Sequence, residues 1–280
     1  MKRSIIIILF LFSLVDISLS QTRNVYEIYA IAYAKMKSRL PVSSVAFGAK
    51  STDSVSVSFY IWFSNGDNGR KVLVDTGLLQ DSIKPLAYLR DYMRPDLALQ
   101  RINVKATDVT DIIITHPHFD HIDGLQLFPN ATIWMQKNDF AYFVGDAWQK
   151  GASHIGLEKQ DVLKIIEANL EGRLNLVNGD SIEIIPGIRV FIGSKHTWES
   201  QHLLVNSSTD KVLLASDDCW YYYNLDHLLP VPLAFDTNAY VAQLRRMKTL
   251  VANIQLIIPG HDALVLSRFR QMVKGVVRIR

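Results

Sequence analysis

The amino-acid sequence predicts an α/β fold in which two β-sheets face each other and helices cover their outer faces. Three observations lead there. Alternating or continuously apolar segments of strand length are interspersed with segments of helical pattern. A unit of strand, polar turn, strand and terminal aspartate occurs twice, as SVSFYIWFSNGDNGRKVLVD (56–75) and QHLLVNSSTDKVLLASD (201–217). Histidines and aspartates lie just past the ends of apolar strands, where α/β folds carry functional groups on loops held by a rigid scaffold.

The elements follow in chain order. VYEIYAIAYA (25–34) alternates and reads as a strand. SVSVSFYIWFS (54–64) alternates strongly and is β-branched and aromatic; NGDNG (65–69) is a turn, and RKVLVD (70–75) the returning strand. DSIKPLAYLRDYM (81–93) has a helical pattern, and DIIIT (111–115) and ATIWMQ (131–136) are short strands. Residues 137–172 read as helix and loop, and SIEIIPGIRVFIG (181–193) as strands around a Pro-Gly turn. After the second strand–turn–strand unit come a helix over 237–253 and a last apolar strand in IQLIIPGHD (254–262). The basic C-terminal residues Arg268, Arg270, Lys274, Arg278 and Arg280 read as one solvated helix face.

The chain has 280 residues, 49% of them hydrophobic, enough for one large domain with a substantial core. Its formal charge of +3 gives no electrostatic reason to expect a nucleic-acid partner. Lys2 and Arg3, an apolar run from Ile5 to Val15, and small residues at Ser18 and Ser20 have the layout of a signal peptide over residues 1–20. The expectation is an exported protein, periplasmic or secreted, with its domain over residues 21–280. The run is short and Asp16 interrupts it, so no stable membrane insertion is expected. The single cysteine, Cys219, allows no internal disulfide and reads as a small buried hydrophobe.

The segment THPHFDHIDG (115–124) carries the densest chemistry. Pro117 holds His116 extended, so His116 and His118 point the same way; Asp120 and His121 follow a turn and point elsewhere. One loop therefore offers two clusters. Imidazole and carboxylate together suit Zn²⁺ or a similar cation, and two clusters suggest two ions. Further donors must come from other strand ends. His196 follows IRVFIG, Asp217 ends KVLLAS, and His261 follows IIPG. Each alone is an ordinary cap or surface residue. Together they form a polar cluster that would be costly to bury without a cation. His154 and His227 read as surface or helix-end residues, and His202 as one facing the core.

HPHFDH resembles the H-x-H-x-D-H signature of the metallo-β-lactamase superfamily, and LVDTG (73–77), His196, Asp217 and His261 follow in that family's order. The resemblance implies a four-layer αβ/βα sandwich with metals at the open edge between two sheets. It implies that His116, His118 and His196 hold one Zn²⁺, that Asp120, His121 and His261 hold a second, and that Asp217 bridges them. Fe or Mn would suit the same donors. Asp75 is expected to orient a ligand, not to be one. The implied chemistry is hydrolysis by a metal-bridged hydroxide, with Asp120 orienting the nucleophile and passing its proton to the leaving group.

Within that superfamily the stretch from His116 to Phe143, LLASD and IIPGHD look like the N-acyl-homoserine lactonase branch, which implies a small-molecule ester or lactone substrate. Two departures stand out. HTWESQH replaces a Gly-rich stretch with a second histidine, and Trp220 stands where the lactonases carry a tyrosine that helps hold the carbonyl. Trp220, Tyr221 and Tyr222 are the candidate substrate-binding residues, with Tyr223 a further candidate donor. A β-lactam, phosphodiester or sulfate ester is the alternative substrate, and a non-catalytic zinc- or ligand-binding protein the alternative class. Relatives that dimerise do so through N-terminal loops, a contact that KMKSRLPVSSVAFG (35–48) could supply to a homodimer.

Overall fold

The computed structural model describes residues 24–79 and 88–280. The expected signal peptide lies outside the described residues. In chain order the first strands are β1 (Tyr26–Met36), β2 (Leu40–Pro41), β3 (Ser54–Val55), β4 (Ser58–Gly66), β5 (Lys71–Val74) and β6 (Leu89–Arg90). Helix α1 (Pro95–Gln100), β7 (Asp111–Ile113), α2 (Phe119–Ile122), β8 (Thr132–Gln136), α3 (Lys137–Val144), α4 (Lys159–Leu170) and β9 (Leu174–Val177) follow. The second half holds β10 (Ile182–Ile185), β11 (Ile188–Ile192), β12 (Gln201–Asn206), β13 (Lys211–Ser216), α5 (Tyr222–His227), α6 (Thr237–Leu250), β14 (Ile257–Pro259), α7 (Val265–Arg268), β15 (Arg270–Val273) and β16 (Val276–Arg278).

Among the described residues one large sheet runs β15-β16-β1-β4-β5-β7-β8-β9, with β6 paired to β1, a second runs β10-β11-β12-β13-β14, and β2 and β3 form a small pair of their own. The repeated sequence unit is a hairpin in each large sheet, β4–β5 and β12–β13, and the second strand of each hairpin pairs in parallel with the next strand of its sheet, β7 and the edge strand β14. Alternation explains the layering, because successive side chains of a strand face opposite sides. Ile28, Ala30, Trp62, Val72 and Val74 of the first sheet meet Val190, Leu203, Val205, Val212 and Leu214 of the second between the sheets. Ile31, Phe63, Leu73 and Ile133 face outward onto Leu99 of α1, Phe143 of α3 and Ile165 of α4. Leu204, Leu213 and Ile257 face outward onto Tyr240, Leu244 and Met247 of α6. The result is the expected sandwich of helix, sheet, sheet and helix.

Two local expectations are corrected. The helix read over 81–93 lies partly outside the described residues; where it is described, Leu89–Arg90 is a strand paired with Met36 and Lys35. The basic C-terminus is not a helix face. After the single turn of α7 it forms a β-hairpin around Gly275 (φ 77°), which joins the first sheet through β16 and β1. Its arginines reach acidic partners elsewhere: Arg278 pairs with Glu27 of β1 at 2.6 Å, and Arg280 with Asp210 in the turn between β12 and β13 at 3.1 Å.

Candidate metal centre

The loops beyond β5, β7, β11, β13 and β14 converge at one edge of the sandwich. His116, His118, His196 and Asp217 bring one donor atom each to within 4.8 Å of one another, and so do Asp120, His121 and His261. All seven side chains are buried. His118 Nδ1 lies 3.1 Å from His116 Nε2 and 3.0 Å from His196 Nε2. The Oδ2 atom of Asp217 lies 3.2 Å from His196 Nε2 and 3.8 Å from His116 Nε2. Its Oδ1 atom turns to the second cluster, 3.0 Å from His261 Nε2 and 3.4 Å from His121 Nε2. Ligands about 2.0–2.1 Å from a tetrahedral Zn²⁺ stand roughly 3.3 Å apart, so these separations fit a cation at the centre of each group.

The outward-facing ring atoms set the tautomers. His121 Nδ1 donates to Asp75 Oδ2 (2.8 Å), His196 Nδ1 to the Leu233 carbonyl (2.6 Å), and His261 Nδ1 to the Ser58 carbonyl (3.1 Å). His116 Nδ1 lies 3.0 Å from the Thr115 hydroxyl. Each ring so held turns an Nε2 lone pair inward, as metal-binding imidazoles do. The buried His121 Nε2 and Asp217 Oδ1 have no hydrogen-bond partner, which would be costly unless something positive takes them.

Electrostatics separates the clusters. Burial drives the pKa of His116 well below the ordinary histidine range and that of His118 down to about 3, so both are neutral donors. At His121 burial acts the same way but is outweighed by Asp120, Asp217 and Asp75, and its pKa rises; Asp217 and Asp120 do the same to His261. The second cluster therefore draws positive charge. Burial alone would raise Asp217, yet His261 and His121 hold it well below the carboxylate range.

The scaffold is built around these atoms. Asp75, at φ 60°, accepts from the Thr115 N–H and hydroxyl, the Ser216 hydroxyl and His121. A Cβ on Gly260 would stand 2.5 Å from Asp217 Oδ1. Gly156 (φ 77°) lies so close over His118 that a Cβ would meet its Cδ2 at 2.7 Å. Only glycine permits both the approach and the positive φ there.

The centre opens into a cavity of about 210 Å³ lined by Met36, Leu40, Val45, Val57, Phe59, Phe119, Trp220, Tyr221 and Leu233, with Asp120, His118, Asp217 and His261 at its floor. Of the aromatic candidates, Trp220 and Tyr221 line it. Tyr222 lies away from it: Asp262 captures its N–H at 3.1 Å, and its ring packs between the sheets with the Arg268 guanidinium 3.6 Å from the ring centre. Tyr223 stacks on exposed His227. Sequence reasoning missed the apolar lining, because Phe59 and Val57 lie in a strand that reads as core. Met36, Leu40 and Val45 belong to the stretch assigned to a dimer contact. His202 is fully buried and paired with Asp218 at 3.0 Å, His154 is exposed beside Trp148, and Cys219 is buried.

A fold of this kind with two His/Asp clusters at the sheet edge defines a protein class, and comparison with known families agrees. Residues 51–261 match the Metallo-beta-lactamase superfamily model. The chain belongs to that superfamily. Among characterised relatives it is similar to an N-acyl homoserine lactonase of Bacillus cereus, 25% identical over 207 residues (68% of this chain, 76% of the relative). The lactonase AttM of Rhizobium radiobacter is 25% identical over 181 residues, 62% and 65% of the two chains. Among solved structures, an N-acyl homoserine lactone hydrolase with N-hexanoyl-L-homoserine at its catalytic metal centre superposes with a TM-score of 0.70 at 21% identity, covering 89% of this chain and 98% of that one. The dizinc lactonase AidC superposes at 0.64 and 14% identity, covering 92% and 98%. This chain is thus a metallo-β-lactamase-fold hydrolase with lactonase relatives and two clusters fit for metal.

Proposed function

We propose that this protein opens lactones of the acyl-homoserine-lactone type by hydrolysis at a pair of divalent cations. One observation carries the reading: the seven donors converge at one edge of the sandwich, and four of them, His118, Asp120, Asp217 and His261, form the floor of an apolar cavity. By donor type the cations are two Zn²⁺, with Fe or Mn suited to the same atoms. His116, His118 and His196 would hold one, Asp120, His121 and His261 the other, and Asp217 both. Bound there, the pair would lower the pKa of water towards neutrality and polarise the ester carbonyl.

The remaining work falls to the chain. The apolar walls take an acyl tail and exclude bulk water from the floor. Asp120 lines the cavity, its Oδ2 3.4 Å from His121 Nε2 and 3.6 Å from His261 Nε2. A carboxylate oxygen so placed can accept the proton of attacking water and deliver it to the departing alkoxide. Export, proposed from residues 1–20, would put this activity outside the cytoplasm.

The test is acid release by the zinc-loaded protein from acyl-homoserine lactones, simple lactones, a β-lactam, an aryl phosphodiester and an aryl sulfate. Lactone turnover should fall about 10²–10⁴-fold in Asp120→Asn. Turnover of another class alone, or none at all, refutes the substrate assignment.

A further inference from the structure

We propose that Trp220 is a positioning residue for the metal pair: its indole N–H fixes the carboxylate of Asp217 in the orientation that serves both clusters. The inference rests on the two-cation reading above, but not on the choice of substrate.

Trp220 touches three of the seven donor residues in three different ways. Its Nε1 donates to Asp217 Oδ2 at 2.7 Å. Its carbonyl accepts the N–H of His261 at 3.0 Å. Its ring stands edge-on to His196 (centroids 5.6 Å apart, 72°) and to His261 (5.9 Å, 88°). The turn from Asp217 to Trp220 is thereby tied to the loop that carries His261, and the indole spans the seam between the clusters.

Asp217 needs such a partner. The final torsion of an aspartate is broad and two-fold, so packing of the stem does not set the plane of the carboxylate. Its backbone is fixed, since the Tyr240 hydroxyl donates to the Asp217 carbonyl at 2.8 Å. Among the described residues, Trp220 is the only side chain outside the seven that donates to the carboxylate. Oδ2, so held, lies 3.2 Å from both His196 Nε2 and His261 Nε2, and Oδ1, which has no hydrogen-bond partner, is directed at His121 and His261. Indole is donor-only. It braces the carboxylate by a charge-assisted bond without offering an atom that competes for a cation.

Trp220→Phe keeps an aromatic ring and removes the donor. Zinc retention against a chromophoric chelator should weaken about 10–100-fold, the usual loss when a ligand's supporting hydrogen bond is removed. The metal-free variant should melt near the wild type. A folded variant that holds both equivalents with wild-type affinity overturns the proposal; if its turnover has nonetheless fallen, Trp220 is a substrate contact instead. Should the variant not fold, the wild type still decides. Of its five indole N–H resonances, one must shift when zinc is added to the ¹⁵N-labelled protein, and no shift overturns the proposal. Absence of lactone turnover in the wild type would sink the substrate reading and leave the zinc comparison intact.

Discussion

Replacing Asp75 by asparagine tests the organisation of the centre without removing a donor. Asparagine has the same shape and tolerates the φ of 60° at this position, so the backbone has no reason to move. What changes is the number of acceptors. Oδ1 receives the Thr115 N–H at 2.8 Å, and Oδ2 receives the Thr115 hydroxyl at 2.9 Å, the Ser216 hydroxyl at 3.1 Å and His121 Nδ1–H at 2.8 Å. If the new amide turns its NH₂ towards Thr115, one buried N–H loses its acceptor, at about 1–3 kcal/mol. If it turns the NH₂ towards His121, the hydroxyls rotate to suit but the imidazole must give up its Nδ1 proton. The proton then sits on Nε2, which is lost as a metal donor. The second arrangement costs about 10–100-fold in zinc affinity, or roughly 1.4–2.8 kcal/mol. Melting of the metal-free protein reads the first outcome, and chelator competition reads the second. A variant equal to wild type in both would refute this account of how His121 is held.

Two further outcomes follow from the same geometry. Burial pushes the Asp139 carboxyl up to about 6, against hydrogen bonds from the Glu199 N–H and the Thr197 hydroxyl. Its folded value lies above the unfolded one of about 3.9, so its contribution to stability is full below pH 4 and is lost as pH rises to 6, by an upper bound of about 3 kcal/mol. Asp139→Asn keeps both partners and does not titrate; its melting temperature relative to wild type should climb between pH 4 and 6 and level off above, and a flat difference counts against the assignment. Each cluster draws donors from both halves of the sandwich, so stripping the metal should lower the melting temperature. At free zinc 100-fold above the dissociation constant the loss is about 2.7 kcal/mol per site. Hydrogen exchange should rise first at 193–200, 217–221 and 260–262, and an unchanged exchange map would show that the two halves need no cation between them.

Most of the centre was legible because its donors are polar residues in places that sequence patterns mark strongly, the ends of apolar strands. The sheets were legible for the same reason of periodicity. What escaped depended on contacts distant in sequence. Leu89–Arg90 is a strand only because the end of β1 offers it an edge. The C-terminal arginines read as a helix face when taken as a charge run; yet Arg278 and Arg280 are two apart, as in a strand, and buried Ile279 lies between them. Tyr221 and Tyr222 are neighbours of identical type, and nothing local tells which faces the cavity. The Asp262 carboxylate decides it by capturing the N–H of Tyr222.

The same long-range bonding explains how HTWESQH positions the candidate donor His196 although it departs from the lactonase pattern. The loop that presents His196 is clamped by two buried carboxylates. Asp218 Oδ1 takes the Ser194 N–H (2.9 Å), the Ser194 hydroxyl (2.7 Å) and the Ser200 hydroxyl (2.6 Å), while its Oδ2 pairs with His202. Asp139 at the head of α3 takes the Thr197 hydroxyl and the Glu199 N–H, and Asn138 beside it bonds the Glu199 side chain at 3.1 Å. Residues 194, 197, 199 and 200 are thus the anchors of the loop, bonded either to the first turn of α3 or to the turn that follows β13. A glycine-rich loop can achieve close packing by lacking side chains; this one fixes His196 by the side chains it has. In this chain, polar side chains distant in sequence are what hold the His196 nitrogen in place.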